Sequence, residues 1–481
     1  MIETELYNNI QKTLSKKGIN VVIGSIYDMM AIWKQWYRGN VNDFHYYSVK
    51  LADGTTIQKE RRTLNMPKKV CEDFSKLEWS EKIEIKLDSE NETEKLLNVL
   101  DSKENAYKVN MPMFLEKLYA LGTMVTVEYR KNDKTIIDYI DGDVVLPYKY
   151  TNGYINGIVT ISRSVEENNR SKKYYTLLTY HEYDNGKYIR NNELYISSND
   201  NELGKEISFN EKYPDVKEYE VIETEHPRFQ VWKLPIANNY DTGSPMGISI
   251  LANHIDKFKS IDIKYDSFNH EFESGKRRII ISANALKNEI QSVNEDGTYN
   301  MVSYFDKNDD VYVGVKGLDN EILKDINFNL RTQEHIDAIN TELNYLSAGV
   351  GLGNEFYKFD GKGLKTATEV VSENSDTYRT MIQHRIPIYD CLYDLIATIC
   401  ELEGIKYSEI SINLDDSIIE DTDKIRQQAL SEYNTKLISK AEYFRKTRKL
   451  EDESAIKFVK QMNEEIQTET ISDGSEFDIA E

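Results

Sequence analysis

The sequence predicts an α+β fold, and three patterns along its 481 residues carry that prediction. Apolar residues recur at helical spacings of three and four in several segments before residue 123. From residue 123 to 235 the pattern changes to a period of two, which is typical of antiparallel strands. Two long amphipathic stripes, at 250–274 and 330–347, then bracket a small α/β insertion.

The chain up to residue 122 is predicted to be mostly helical. Residues 1–38 have a helical pattern, with Ile26, Met30, Trp33 and Tyr37 at spacings of three and four. Three further helices are predicted at 64–77, 89–100 and 111–122.

The middle of the chain is predicted to form antiparallel strands. Val125, Val127 and Tyr129 alternate with polar residues, and 174–180 and 187–189 indicate two paired strands joined by a turn at 184–186. The polar segment 199–225 is predicted to be a long surface excursion.

The first long stripe predicts a helix of about 25 residues, roughly 37 Å long. The insertion that follows contains strand-like runs at 278–281 and 310–313. The second stripe stops at Gly349, Gly351 and Gly353, because closely spaced glycines weaken a helix.

A loop and a long helix follow the second stripe. The loop at 354–363 carries three aromatic residues, which is unusual for a solvated linker. Thr366 and Glu369 have the spacing of a capping box, so a helix is predicted from about 366 to 403. Pro387 lies inside this helix and is predicted to kink it, since proline removes a backbone donor.

The last part of the chain begins with an alternating run at 409–414, which is predicted to be a strand returning to the β region. Charged helices are predicted at 423–433, 440–449 and 452–462, and the acidic tail 464–481 is predicted to be disordered.

The glycine-rich segment and the long helix resemble one family closely. Gly351-Leu352-Gly353, the aromatic loop, the run Gly363-Leu364-Lys365-Thr366-Ala367-Thr368-Glu369-Val370 and the run from Ser372 to Thr380 are similar to portal proteins of long-tailed bacteriophages. These are the head-to-tail connectors through which DNA is packaged and ejected. The resemblance is specific over roughly 50 residues, and weaker similarity covers most of the chain.

The resemblance implies a portal-like division of the chain. The implied parts are a wing at 1–249 (helical, then antiparallel), stem helices at 250–274 and 330–348, a clip at 275–329, a tunnel loop at 349–364, a kinked tunnel helix at 365–403, a wing return strand at 404–418, helical crown segments at 419–463 and a tail at 464–481.

It also implies functional residues and partners. The implied DNA-channel residues are Gly351, Gly353, Phe356, Tyr357, Lys358, Phe359, Lys362, Gly363 and Lys365, and the implied partner surface of the clip includes Arg277, Arg278, Asp309 and Asp310. The subunits are expected to form a ring of twelve at one capsid vertex of the virion, after assembly in the host cytoplasm. The expected partners are the major capsid and scaffold proteins, the terminase motor, head-completion (adaptor) proteins and double-stranded DNA bound non-specifically.

The composition fits a conduit that does not grip its cargo. The chain has 60 basic and 82 acidic residues and a net charge of −22, so its surface repels nucleic acid at long range. The three cysteines, at 71, 391 and 400, lack metal-ligand spacing and are predicted to be reduced thiols. No apolar run is long enough for a transmembrane helix, and the first residues do not look like a signal peptide.

The motifs of common enzymes fail in this sequence, so no catalytic residue, metal or cofactor is expected. Asn354 stands where a dinucleotide fingerprint needs its third glycine, and Leu364 replaces the glycine that precedes Lys-Thr in a phosphate-binding loop. One alternative stays open, an acidic intracellular enzyme of nucleotide or DNA metabolism that uses the glycine-rich loop. A structural component of the tail or baseplate lacks support in the helix–loop–helix segment.

Overall fold

The structure is a computed structural model of the 481-residue chain. It describes residues 4–21, 24–79, 83–168, 171–275, 278–282, 288–293, 299–303, 313–315, 323–326, 329–359, 367–414, 422–448, 455–460 and 462.

Ten helices are numbered in chain order within these ranges. They are α1 (Thr4–Lys16), α2 (Ser25–Tyr37), α3 (Met66–Glu78), α4 (Glu90–Leu100), α5 (Tyr107–Leu121), α6 (Ile255–Ser274), α7 (Thr332–Gly349), α8 (Ala367–Glu403), α9 (Thr422–Asn434) and α10 (Lys440–Arg448).

Eighteen strands are numbered in the same way. They are β1 (Tyr46–Lys50), β2 (Thr56–Glu60), β3 (Glu84–Leu87), β4 (Thr123–Lys131), β5 (Lys134–Asp141), β6 (Val145–Thr151), β7 (Tyr154–Asn168), β8 (Ser171–Asp184), β9 (Lys187–Ser197), β10 (Lys205–Ile207), β11 (Tyr219–Glu223), β12 (Phe229–Lys233), β13 (Arg278–Ser282), β14 (Asn288–Val293), β15 (Tyr299–Ser303), β16 (Val313–Val315), β17 (Leu323–Ile326) and β18 (Ile410–Asn413).

The predicted β region forms two antiparallel sheets. The larger has the order β10-β9-β8-β7-β6, with β11 also paired to β9, and the smaller has the order β12-β4-β5. Asn185 and Gly186 join β8 to β9 with positive φ angles of 50° and 74°, as a tight hairpin turn requires. The predicted turn is therefore confirmed.

Two hydrophobic cores lie on opposite faces of the smaller sheet. One face, which includes Met124 and Trp232, packs with α3, α5 and the buried half of α8. The other face, which includes Val125 and Val127, packs with α1, α2 and the larger sheet. This alternation is the period of two that the sequence shows from residue 123.

Several expectations need correction. The strand at 410–413 does not return to the β region but pairs with β3, at Ile410↔Leu87 and Ile412↔Ile85, because its apolar side chains complete the helical core. The polar segment 199–225 is not only an excursion, since β10 and β11 pair with β9 there.

The first long helix begins later than predicted. Ser249 Oγ accepts a hydrogen bond from the Leu251 amide, and Ala252–His254 form a 3-10 turn, so the α-helix starts at Ile255. Within the insertion, the described segments are all strands, with β13 between β16 and β17 and a separate β14–β15 pair.

Candidate functional site: the loop between α7 and α8

Helices α6 and α7 form an antiparallel pair that leads into the glycine-rich loop. Lys264 Nζ lies 2.7 Å from Glu342 Oε1, and Arg331 Nη2 lies 2.8 Å from Glu271 Oε2. Hydrogen bonds from the Arg331 side chain and backbone lower the pKa of Glu271 to about 2. Near the loop, Lys257 Nζ donates to the carbonyl oxygen of Tyr345 at 2.8 Å. Two ion pairs and one lysine–carbonyl hydrogen bond therefore hold α6 against α7 along their length.

The turn after α7 is fixed to α8 by two threonines. Gly351 has a φ of +83°, and its carbonyl oxygen accepts a hydrogen bond from Thr380 Oγ1 at 2.6 Å. The Gly353 amide donates to Thr377 Oγ1 at 3.1 Å. A Cβ at Gly351 would lie 2.5 Å from the Thr380 hydroxyl, so this position requires glycine for both space and conformation.

The loop amides are already engaged by the protein itself. The amides of Leu352, Phe356 and Tyr357 donate to Ser347 O, Gly353 O and Ser347 Oγ. The Phe359 amide donates to Asn340 Oδ1 at 2.8 Å. A phosphate cradle needs free backbone N–H groups, so these bonded amides argue against nucleotide binding by this part of the loop.

The three loop aromatics point to different surroundings. Tyr357 is buried, and its ring contacts Phe356, which is 41% exposed. Phe359 packs edge-on against Tyr265 and Phe268 of α6. Tyr357 and Phe359 therefore cover apolar surface of their own subunit, whereas Phe356 faces outward.

Tyr357 also connects the loop to α3. Burial raises the pKa of its phenol, and the nearby Asp73 carboxylate raises it further. Asp73 in turn accepts a hydrogen bond from Lys69 of the same helix. The Tyr357 hydroxyl consequently stays protonated and places the loop against α3.

The predicted channel cations lie differently. Lys358 Nζ forms an ion pair with Glu355 Oε2 at 2.6 Å within the loop, which reduces the positive charge that it offers to a phosphate. Lys362, Gly363 and Lys365 lie outside the described residues, as does the proposed capping residue Thr366.

A buried ion pair anchors α8 just before Pro387. Arg385 Nε lies 3.0 Å from Glu78 Oε2 of α3, and both side chains are buried. Tyr119 Oη lies 3.3 Å from Glu78 Oε1 and 3.2 Å from His384 Nδ1, so it bridges the ion pair to this histidine. Burial lowers the pKa of His384 to about 4, so the imidazole is neutral near pH 7.

The second half of α8 is held by the smaller sheet and its flanking loop. Thr398 Oγ1 donates to Pro227 O at 3.0 Å, and Glu401 accepts from Thr224 Oγ1 at 2.7 Å and from Arg228 Nη2 at 3.2 Å. Glu128 faces this helix from β4 with both carboxylate oxygens buried and without a hydrogen-bond partner in the described part of the chain. Burial raises its pKa to about 8.

Pro387 lies inside α8, and the helix assignment runs through it without a break from Ala367 to Glu403. The proline deprives the carbonyl of residue 383 of its helical donor. The kink itself stays a prediction.

The residues predicted for the insertion are only partly described. Arg278 begins β13, and Arg277, Asp309 and Asp310 lie outside the described residues. Their predicted role as a partner surface stays a prediction.

Sequence reasoning missed two buried charged residues, one on α8 beside the site and one on α6. Arg385 lies between Met381 and Ile388 on the apolar stripe of α8, and Asp262 lies four residues after Phe258 on the stripe of α6. A charged residue at a core position is the signal that could have found both, since such groups are rarely buried without a partner.

The described part of the chain holds no group of three or more histidine, cysteine or acidic residues that could bind a metal. In the same residues, every helix is too short or too polar to span a bilayer.

Comparison with known proteins gives one family. Residues 26–471 match the family described as phage portal protein, SPP1 Gp6-like. No curated protein matches the chain. The family match begins in α2 and covers α3–α5, both sheets, the α6–α7 pair, the loop and α8, and it agrees with the resemblance seen in the loop and long helix. The chain therefore belongs to the SPP1 Gp6-like phage portal proteins.

Proposed function

We propose that this portal protein forms a closed ring of twelve subunits that serves as the conduit for DNA packaging and ejection. The observation that carries the proposal is the family match over 26–471, because the portal family is structural and its members are ring-shaped head-to-tail connectors at the capsid vertex. The α6–α7 pair and α8 supply long helices on either side of one loop, as the family's stem and tunnel helices do.

Charge supports the conduit function. Twelve chains of −22 carry a total of 12 × −22, or −264. Screening limits the reach of this charge to about 8 Å at physiological salt, so only groups that line the bore act on DNA. A wall with this bias lets DNA slide because it offers few lasting phosphate contacts.

In the proposed ring, the loops of the twelve subunits together surround the narrowest part of the bore. Phe356 is the exposed aromatic of the described loop, and Lys358, Lys362 and Lys365 are its candidate phosphate contacts. The threonine hydrogen bonds at Gly351 and Gly353 fix the start of the loop to α8, and the amides of Tyr357 and Phe359 donate to side chains of α7, so both ends of the segment 351–359 are held.

The insertion 275–329 is proposed to be the clip, which meets the terminase motor and later the head-completion proteins. The larger sheet and the helices α1–α5 would form the wing, in contact with capsid and scaffold proteins. Helices α9 and α10 would form the crown. Assembly would take place in the host cytoplasm.

Ring formation is the first test. Mass measurement and negative-stain images of the purified protein should show closed rings with a central channel. A protein that stays monomeric at high concentration, with and without added salt, would contradict the proposal and would reopen the alternative of an acidic enzyme.

The clip is tested by deletion of residues 275–329. The β region should stay folded by circular dichroism, whereas capsids assembled with the variant should fail to package DNA. Normal packaging would show that the insertion is not the motor's docking site.

The loop is tested by crosslinking between neighbouring subunits. Asn354 and Phe356 are both exposed, so cysteines at these positions are accessible to a crosslink between neighbouring loops. Oxidised rings should assemble but block DNA passage, and a reducing agent should restore it. Unimpaired packaging by fully crosslinked rings would leave the loop as ordinary packing.

A further inference from the structure

The hairpin formed by β1 and β2 has one polar and one apolar face. Direct cross-strand pairs place Val49 opposite Ile57 and Ser48 opposite Gln58. Because successive side chains alternate, Tyr47, Val49, Leu51 and Ile57 share one face, and Lys59, opposite Tyr47, is the charged residue at the edge of this mainly apolar face. The opposite face carries Tyr46, Ser48, Lys50, Thr56, Gln58 and Glu60. This amphipathic pattern is typical of a strand pair whose apolar face is covered by another protein surface.

The apolar face has no partner sheet in its own subunit. Among the described residues the hairpin joins no larger sheet, and neither hydrophobic core includes its apolar residues. Every residue of β2 is exposed, and Leu51 and Ile57 are 40% and 37% exposed, whereas Val49 and Tyr47, which lies against the Arg61 guanidinium, are half-buried. A two-stranded hairpin is marginally stable in water unless its apolar face is covered.

The base of the hairpin is nevertheless firmly fixed to α6. Asp262 is buried, and its carboxylate accepts hydrogen bonds from Thr63 Oγ1 and the Leu64 amide, both at 2.9 Å, and contacts His45 Nε2 at 3.1 Å. The Val41 amide donates to His45 Nδ1, so Nε2 carries the proton that faces Asp262. Arg62 reaches further along α6, with Nη2 2.6 Å from Glu273 Oε1.

The charge of the hairpin favours a second copy as its partner. Lys50 and Lys59 offset Asp53 and Glu60, so residues 46–60 are neutral in a chain whose net charge is −22. Two negatively charged copies repel each other least where a neutral segment of one copy lies against the other. A cyclic ring also needs a heterologous contact, in which one surface of each subunit meets a different surface of the next.

We propose that the β1–β2 hairpin is an arm that docks its apolar face on the neighbouring subunit of the ring. The proposal rests on the proposed ring and identifies one of its lateral contacts. The fixed base holds the arm beside α6. Neighbouring subunits of a ring are related by rotation about its axis, which does not change the position of a residue along that axis. The arm therefore meets the neighbour at its own axial level.

A pair of matched variants tests the arm. Val49→Asp with Ile57→Asp places two charges on the apolar face, and Ser48→Asp with Gln58→Asp places the same two charges on the polar face of the same hairpin. The first variant should raise the protein concentration needed for ring assembly by about tenfold or more, since burying unpaired charge is costly. The second should assemble like the wild type.

Both outcomes are read by mass photometry across a concentration series, with thermal unfolding of the monomer as a check on folding. Monomers of both variants should unfold within a few degrees of the wild type, because the altered side chains lie outside the cores. If the first variant assembles at the wild-type concentration, the arm is not a ring contact. If the wild type forms no rings, the proposed function fails as well.

A photoreactive benzoylphenylalanine at Leu51 tests the identity of the partner directly. In purified rings it should give covalent dimers and higher multimers, with the crosslinked peptide mapped by mass spectrometry. Crosslinks that stay within one chain, or that form only with capsid protein in assembled particles, would overturn the assignment to a second copy.

Discussion

The two halves of α8 differ sharply in how they are held. After Pro387, Leu392, Leu395 and Ile399 are completely buried in the core beneath the helix. Before it, among the described side chains of residues 376–386, Tyr378, Ile382 and Ile386 lie on the surface, with Ile386 61% exposed, whereas Met381, His384 and Arg385 are buried. Outside the core, Thr377 and Thr380 join this first half to the loop. One continuous helix thus joins a second half held by apolar packing to a first half whose described turns are held mainly by polar contacts with α3 and the loop.

This difference separates two tasks. The buried half stabilises the subunit, because burial of apolar area is the largest favourable term in folding. The described part of the first half, residues 376–386, positions the loop through Thr377 and Thr380. The Arg385–Glu78 ion pair lies at the boundary between the two halves and attaches α8 to α3 there.

The largest expected effect is at that boundary. Arg385→Met should lower the free energy of unfolding by about 3–5 kcal/mol, because it leaves the buried Glu78 carboxylate without its ion-pair partner. Urea denaturation measures the loss. The double variant Arg385→Met with Glu78→Gln should recover much of it, and a cost below about 1 kcal/mol for the single variant would show that the pair is not an anchor.

The contrast between the halves is tested by equivalent truncations. Leu395→Ala removes a fully buried side chain and should cost about 2–5 kcal/mol. Ile382→Ala removes an exposed one and should stay within about 0.5 kcal/mol in the monomer. Similar costs for both in urea denaturation would contradict the division of α8.

Glu128, which is buried beside the second half of α8, should make the free energy of unfolding depend on pH. Its folded pKa of about 8 lies above the ordinary value of 4.5, so the folded state holds a proton that the unfolded state releases. Stability should therefore fall between about pH 4.5 and pH 8 by on the order of a few kcal/mol.

Glu128→Gln imitates the protonated acid and should flatten this dependence, with a higher melting temperature than the wild type at pH 8.5. Glu218→Gln, at an exposed position outside the cores, is the control and should leave the profile unchanged. An identical slope in the wild type and Glu128→Gln would exclude a raised pKa.

The directed contacts of the first half predict a smaller effect. Thr377→Val keeps the shape of the side chain but removes the acceptor of the Gly353 amide, at a cost of about 0.5–1.5 kcal/mol. Hydrogen–deuterium exchange at Gly353 should accelerate. Thr341→Val makes the same chemical change on the exposed face of α7, and it should leave Gly353 exchange as it is in the wild type.

Pro387→Ala should have the smallest effect on stability, within about 1 kcal/mol, because it restores one helical donor in a helix already anchored on both sides. The expected change is geometric: the subunit folds, but the path of α8 and the width of the channel alter in cryo-electron microscopy of the rings. An α8 that follows the same path in both proteins would show that the proline does not shape it.

The elements that follow local patterns were predictable from the sequence. The amphipathic stripes at 250–274 and 330–347 correspond to α6 and α7, and the predicted helices at 64–77 and 89–100 to α3 and α4. Such patterns arise because one face of each element must be buried, and this requirement is local to the element.

The contacts that join distant segments were not predictable. Ile410 pairs with Leu87 and Arg385 with Glu78, both across more than 300 positions of sequence. A strand pattern states that a partner exists but does not identify it, so the 410–413 strand was assigned to the wrong sheet. The burial of Tyr357 depends in the same way on α3, which its own loop sequence does not specify.

The continuity of α8 has a mechanical consequence. From Ala367 to Pro387 the helix extends 20 residues, or roughly 30 Å at 1.5 Å per residue. A rod of that length converts a tilt of about 10° at the proline into a displacement of roughly 5 Å at its far end. The rise of one base pair in DNA is about 3.4 Å. In the proposed channel, a rotation of about 10° at the proline would therefore displace the end of α8 that adjoins the loop by more than the rise of one base pair.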